Sequence, residues 1–279
     1  MRFGLSVQNF GTYGDPALLA DLARDAEAAG WDGFFVWDHL LRGDAPVADP
    51  WISLAAIAVA TERVRIGPMV TPLPRRRPWQ VARQAVTLDH LSDGRVTLGV
   101  GLGSSPQMEF APFGEATQNA ERAAVADEAL EIITCLWTGD PVDARGRFML
   151  RGARSLPLPV QRPRIPIWVA GNWPNRGPLR RAARYDGVFP QRIATDPDDW
   201  MLSPDDVRAV LAVVGEYREL DEPFDVAVAL SDEGDASRRP DLIAEYAGAG
   251  VTWWMEGVLE DAGDLAEMRA LIRRGPVAA

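Results

Sequence analysis

Short apolar runs alternate with longer amphipathic segments along almost the whole chain. Arg2–Val7 and Gly33–Trp37 (GFFVW) read as strands. The second is apolar without interruption, as expected when both faces of a strand are buried. Between them, Pro16–Ala29 sets Leu18, Leu19, Leu22, Ala26 and Ala29 at helical spacing, and Gly30 follows as a stop. A helix over Trp51–Thr61 leads to a strand over Val64–Val70. Helix Pro78–Leu91 begins on proline, whose missing N–H costs nothing there. The turn Ser92-Asp93-Gly94 then feeds a strand over Arg95–Val100. Arg63 to Gly103 is thus a complete strand–helix–strand crossover, the repeating unit of parallel α/β folds.

A long helix over Ala116–Trp137 precedes Thr138–Pro166, which is rich in Gly, Pro and Arg and too long for a simple connection. It reads as an excursion carrying a short hairpin near Gly146–Leu150. The alternation resumes with strand Ile167–Ala170, helix Gly177–Tyr185, strand Gly187–Pro190 and helix Pro204–Leu220. Strand Phe224–Leu230, helix Arg239–Ala249, strand Val251–Glu256 and helix Ala262–Arg273 complete it. Eight strands and eight helices in strict order predict a (β/α)8 barrel. It would form a single domain over residues 1–279, with residues 138–166 inserted between helix 4 and strand 5. A doubly wound open sheet would place a Gly-rich turn after its first strand, and Gln8-Asn9-Phe10-Gly11 matches that poorly.

Composition narrows the function classes. Apolar residues make up 47% of 279, enough for a large core, and the net charge of −11 argues against a nucleic-acid partner. The lone cysteine, Cys135, excludes an intrachain disulfide; within LEIITCLW it is expected to be an inert buried thiol. Neither a secretory leader nor an apolar run of about 18 residues is evident, so a cytoplasmic protein without a membrane span is expected.

The barrel sorts the polar residues before any function is assumed, because residues just after a strand lie at the mouth, where such enzymes work. His39 follows GFFVW and belongs to the mouth, with Asp38 placed to orient its ring. His90 ends a helix before a turn, so it belongs to the bottom, where helix capping or packing is expected. Histidines at opposite ends cannot share a metal.

Gln8, Asn9, Thr71, Ser104, Ser105, Glu109, Asn172, Gln191, Arg192 and Glu256 complete a polar ring, with Phe10, Trp37, Trp79, Phe110, Trp173 and Trp254 close in sequence. Amides and aromatics with sparse acid–base equipment suit a planar cofactor that carries the reactivity itself. They suit a two-carboxylate glycosidase poorly. Gly99–Gly103 lacks the full dinucleotide fingerprint but lets a ring or phosphate approach the backbone. Gly171–Gly177, at a helix start with Arg176, is the better phosphate cradle. Arg75-Arg76-Arg77 reads as a solvated run that an anionic tail could also meet.

Three segments, GWDGFFVWDHLL, ATERVRIGPMVTPLPRRRPWQVARQAVTLDHLSDGRVTLGVGLG and RIPIWVAGNWPNRGPLRRAARYDGVFP, resemble the bacterial luciferase-like monooxygenase superfamily. They resemble in particular its branch that uses the deazaflavin coenzyme F420. The resemblance implies a barrel with an insertion and a flavin-like ring in its mouth. Asp38, His39 and Glu109 would face the chemistry. Met69-Val70 would be a non-prolyl cis bulge backing the ring, with Thr71 beside it. Gly101, Gly103 and Ser104 would line the pocket, while Ala170, Gly171, Asn172 and Arg176 would hold the phosphate.

The implied activity is hydride transfer between F420 and a small organic substrate, in a homodimer. The alternative is a monooxygenase using reduced FMN, and a non-catalytic cofactor-binding barrel is a third possibility. One departure stands out. Sugar-phosphate dehydrogenases of the branch carry a glutamate directly after the glycines, where this chain has Ser104. Substrate choice is expected to lie in Thr138–Pro166 and in the loops after the last two strands.

Overall fold

Strand parity builds the centre of the molecule. The computed structural model describes residues 1–192, 201–230, 239–257 and 265–276. Its strands are β1 (Arg2–Val7), β2 (Gly33–Val36), β3 (Arg65–Pro68), β4 (Thr71–Pro72), β5 (Leu98–Gly101), β6 (Val142–Arg145), β7 (Met149–Ala153), β8 (Ile167–Trp173), β9 (Gly187–Arg192), β10 (Asp225–Leu230) and β11 (Trp253–Gly257). Its helices are α1 (Pro16–Ala28), α2 (Pro50–Ala60), α3 (Pro78–Leu91), α4 (Pro106–Glu109), α5 (Asn119–Leu136), α6 (Arg176–Ala182), α7 (Pro204–Gly215), α8 (Arg239–Gly248) and α9 (Leu265–Arg274).

The parallel sheet runs β3-β2-β1-β11-β10-β9-β8-β5-β4. Its two ends are halves of the third strand, parted by a cis peptide between Met69 and Val70, so the barrel closes. A bridge between Ile66 and Val96 ties the lower part of that seam. The single strand read over Val64–Val70 is therefore two segments, and the bulge expected at Met69-Val70 is present. Proline occupies the start of α1, α2, α3, α4 and α7, and the side chains of Asp15, Asp49 and Ser203 cap α1, α2 and α7.

Residues at alternate strand positions point to opposite faces. One set, including Leu5, Phe34, Ile66, Val169 and Val228, packs against the helices. The other plugs the barrel: Phe35, Trp168, Trp253 and Met255 are wholly buried and in one cluster. Phe35 stacks on Trp168 at 5.4 Å, and Trp253 meets both rings edge-on. Glycine makes room for them. A Cβ on Gly33 would fall 2.6 Å from the Phe35 ring, and one on Gly187 would fall 2.6 Å from Trp168.

Several details differ from the sequence reading. The short α4 interrupts the loop before α5, which starts at Asn119 rather than Ala116. The insertion carries the antiparallel hairpin β6–β7 around the expected turn. Cys135 is exposed, because it shares a helix face with Glu128 and Glu131 rather than with the Ile132–Ile133–Leu136 stripe. His90 caps no helix end; its Nε2 lies 2.7 Å from the Leu158 carbonyl, tying the insertion to α3. The last helix, expected from Ala262, is described from Leu265, and residues 262–264 lie outside the described residues. Among the described residues, no helix is long and apolar enough to cross a membrane.

Candidate active site

Two residues beyond the plug, the inward positions become small: Trp168 gives way to Ala170 and Met255 to Gly257, while β10 keeps alanine at both levels, Ala227 and Ala229. A cavity of about 850 Å³ opens there, lined also by Ser6, Trp37, Met69, Val70, Gly101 and Phe189. That volume is in the range of cofactor pockets. A Cβ at Gly101 would sit 2.7 Å from Val70 Cγ2, so only glycine leaves the space above the cis bulge open. Gly103, at φ +86°, approaches Phe110 in the same manner.

The loop after β2 supplies one wall. Asn9 is wholly buried; its amide donates to the carbonyls of His39 (2.9 Å) and Ala48 (2.7 Å) and accepts the His39 N–H (3.1 Å). The backbone of His39 is thereby fixed. Its ring lies edge-on to Phe10 and 5.7 Å from Trp37, and Nδ1 is in contact with Glu109 Oε1. Glu109 Oε2 accepts the Leu40 N–H at 3.1 Å and Arg75 Nη1 at 2.6 Å. Burial pushes the Glu109 carboxyl up, yet the bonds from His39, Arg75 and Leu40 outweigh it and hold the group below the usual carboxylate range. His39 Nε2 has no partner among the described residues, and the ring lines the cavity.

Asp38 does not orient the His39 ring. Its carboxylate accepts from Thr71 Oγ1 (2.8 Å), Arg75 (3.1 Å) and Arg76 (2.7 and 2.9 Å), and Glu109 takes the expected role. Thr71 is correspondingly not a cavity residue: it is wholly buried and its hydroxyl is committed to Asp38. Two residues of the arginine run are not solvated either, and only Arg77 is exposed. Arg75 and Arg76 turn inward onto the two carboxylates, while Arg77 lies over Trp79. The missed signal was electrostatic, since two buried carboxylates at a mouth need cations and the β4–α3 loop offers three.

The opposite wall comes from β5, α5 and the β8–α6 loop. Asn172, Asn175, Arg176 and Gly177 line it beside Gly103 and Ser104. Arg176 is half exposed and paired with Glu216, just past the end of α7. Arg122, which sequence reasoning did not single out, donates to the carbonyls of Leu102 (2.9 Å) and Gly103 (3.0 Å) and pins the glycine loop. Gln191 reaches the cavity, whereas Arg192 pairs with Asp206 at 2.7 Å.

Glu256 is not at the mouth at all. Parity on β11 sends it outward, where it is bound by Arg239 and, at 2.9 Å, by Arg274. Trp254 also faces outward, against Tyr246. Among the described residues no group of three His, Cys, Asp or Glu is arranged to hold a metal.

A barrel whose strands end on a ring-sized cavity, with a histidine–carboxylate pair on one wall and a glycine loop facing a helix start on the other, is built as a cofactor-binding (β/α)8 protein. Residues 1–272 match the family described as luciferase-like monooxygenase, and the chain belongs to it. It is 42% identical over 173 residues to an F420-dependent glucose-6-phosphate dehydrogenase of Beutenbergia cavernae, a match covering 59% of this chain and 49% of that one. A 4-hydroxyprotoasukamycin monooxygenase of Streptomyces nodosus subsp. asukaensis is 38% identical over 164 residues, covering 52% and 43%. The matched segment thus spans about half the length of these relatives. In shape, the chain is similar to an F420-dependent secondary alcohol dehydrogenase solved with an F420–acetone adduct, at TM-score 0.79 and 18% identity over 98% and 97% of the two chains.

Proposed function

We propose that the protein is an oxidoreductase that moves a hydride between coenzyme F420 and a small organic substrate. The observation that carries this reading is the His39–Glu109 pair, which commits Nδ1 and leaves Nε2 open to a ring-sized cavity. The cavity fits such a cofactor: its inward positions are Ser6, Gly101, Ala170, Ala229 and Gly257, and a Cβ at Gly101 would collide with Val70. Met69, Val70, Gly101, Gly103 and Ser104 would hold the ring. Ala170, Gly171, Asn172 and Arg176 would meet the phosphate at the start of α6.

When bound, a deazaflavin supplies two-electron hydride chemistry. The protein's own part is the proton. With Glu109 ionised and accepting Nδ1–H, Nε2 takes the proton from a substrate hydroxyl or returns it to a carbonyl oxygen. Asp38 acts through the loop rather than on the ring, holding Arg75, which in turn holds Glu109. Ser104 stands where sugar-phosphate dehydrogenases of the family carry glutamate, so the substrate is assigned as a small alcohol or carbonyl compound rather than glucose 6-phosphate. The chain would work as one barrel domain over residues 1–279, as a cytoplasmic homodimer, with substrate choice in residues 138–166 and in the loops after β10 and β11. Those last two loops, residues 231–238 and 258–264, lie outside the described residues.

The monooxygenase relative favours a second reading, reduced FMN in the same cavity with oxygen as co-substrate. Titrating the purified protein with F420 and with FMN, followed by ring absorbance, separates the two. The first reading expects F420 binding and cofactor reduction by an alcohol without oxygen. Tight FMN binding with oxygen-dependent product formation would sink it.

A further inference from the structure

We propose that Arg75 is a positioning residue that fixes the tautomer of His39 through Glu109. The tautomer rests on geometry alone, and its catalytic consequence rests on the function proposed above.

The two residues of the pair come from different loops 70 positions apart, and Glu109 arrives on α4, a helix of four residues. Such a short element does not hold a carboxylate in place by itself. Arg75 does so with both ends of its fork. Nη1 donates to Glu109 Oε2, while Nη2 donates to the Asp38 carbonyl and to Asp38 Oδ1. Its side chain is 5% exposed, against 3% for Glu109 and 2% for Asp38. The same guanidinium lies 5.6 Å from the centroid of the Phe110 ring, next along the chain from Glu109.

Arg75 therefore ties the α4 segment to the β2 loop by charge and by packing. Arg76 cannot substitute for it, because its bonds run to Asp38 alone.

The chemical effect follows. Glu109 Oε2 is occupied by Arg75 and the Leu40 amide, so Oε1 faces the His39 ring. An ionised carboxylate at Nδ1 accepts the proton there and leaves the lone pair on Nε2. Remove Arg75 and the ionised form of Glu109 loses a charge-assisted bond, while two buried carboxylates lose the cation between them. The planar fork also explains why arginine is needed, since a lysine ammonium reaches one partner and not two loops at once.

The chain has only two histidines, so in the His90→Gln background every ring signal belongs to His39. Two-bond nitrogen–proton spectra of 15N-labelled protein, recorded at about pH 8, report which ring nitrogen carries the proton. The parent is expected to show Nδ1–H. Arg75→Met is expected to give a mixture with Nε2–H and to lower kcat by about tenfold or more, leaving cofactor affinity within about twofold. Arg75→Lys should restore the parent spectrum only in part.

A folded Arg75→Met protein with the parent spectrum would overturn the proposal. Should that variant not fold, Arg75→Lys with an unchanged spectrum has the same force. In a Glu109→Gln background, Arg75→Met should alter neither tautomer nor kcat further, and an independent loss there would also overturn it. The spectra need no cofactor. A protein that never reduces F420 would refute the function proposed above and leave this inference standing.

Discussion

Glu109 and Glu256 are both buried carboxylates bound by cationic side chains, yet the protein treats them in opposite ways. Glu109 stands at the cavity, and its bonds from His39, Arg75 and the Leu40 amide overcome burial and hold its carboxyl low. Glu256 stands between the barrel and the last helices, where burial pushes its carboxyl up in spite of Arg239 and Arg274. The difference lies in desolvation and in the partners. Glu109 borders an open cavity and takes a backbone N–H as well as side chains, whereas Glu256 is sealed behind the sheet with two guanidiniums. Charge at the mouth is kept available; charge behind the sheet serves to clamp α8 and α9.

The largest effect should come from breaking the clamp. Glu256→Gln is expected to lower stability by roughly 3–5 kcal/mol, the range for opening a buried pair from one side, with the kcat of the surviving folded protein nearly unchanged. Denaturant melts paired with turnover measure both. Glu109→Gln should do the reverse, lowering kcat by roughly a hundredfold while moving the melting temperature less than Glu256→Gln does. If the two profiles came out alike, the distinction between a working and a clamping carboxylate would collapse.

A subtler test uses pH. A carboxyl held low in the folded state stabilises above the ordinary carboxylate range, and that contribution disappears as pH falls through the lowered value. A carboxyl pushed up does the opposite, binding a proton more tightly when folded, so its contribution declines as pH rises through the range between its ordinary and raised values. Stability curves of the two Gln variants against the parent should therefore diverge with opposite slopes in the acid range. The smallest effect is expected at the exposed pair Arg176–Glu216. Arg176→Ala should weaken cofactor binding by only about threefold, because the guanidinium that would meet the phosphate is solvated and already shared with Glu216, leaving most of the hold to the backbone and Asn172. An equilibrium titration checks it, and a loss of tenfold or more would make that wall as important as the His39 wall.

The barrel was legible because its evidence is local. Periodicity, Pro at helix starts and Gly at turns each act within a few residues, and His39 could be placed at the mouth from the end of its strand alone. The His39–Glu109 contact was not legible, since nothing within 70 residues of sequence announces which carboxylate turns toward which ring. The inward turn of Arg75 and Arg76 failed for a related reason: an arginine run between prolines looks the same whether water or a buried acid satisfies it. Glu256 was a recoverable error. Trp253 and Met255 occupy the inward face of β11, so parity alone sends the residue after Met255 outward. Cys135 was recoverable too, being off the Ile132–Ile133–Leu136 stripe of its helix.

The plug of Phe35, Trp168 and Trp253 has a further use. Indole emits in the near ultraviolet, where flavins and deazaflavins absorb, and energy passes efficiently between chromophores a few ring-widths apart. Trp168 and Trp253 lie directly beneath the cavity floor and Trp37 lines its wall. Any such ring entering the mouth would dim the protein's own light, which makes the floor of the barrel an internal gauge of occupancy that needs no label.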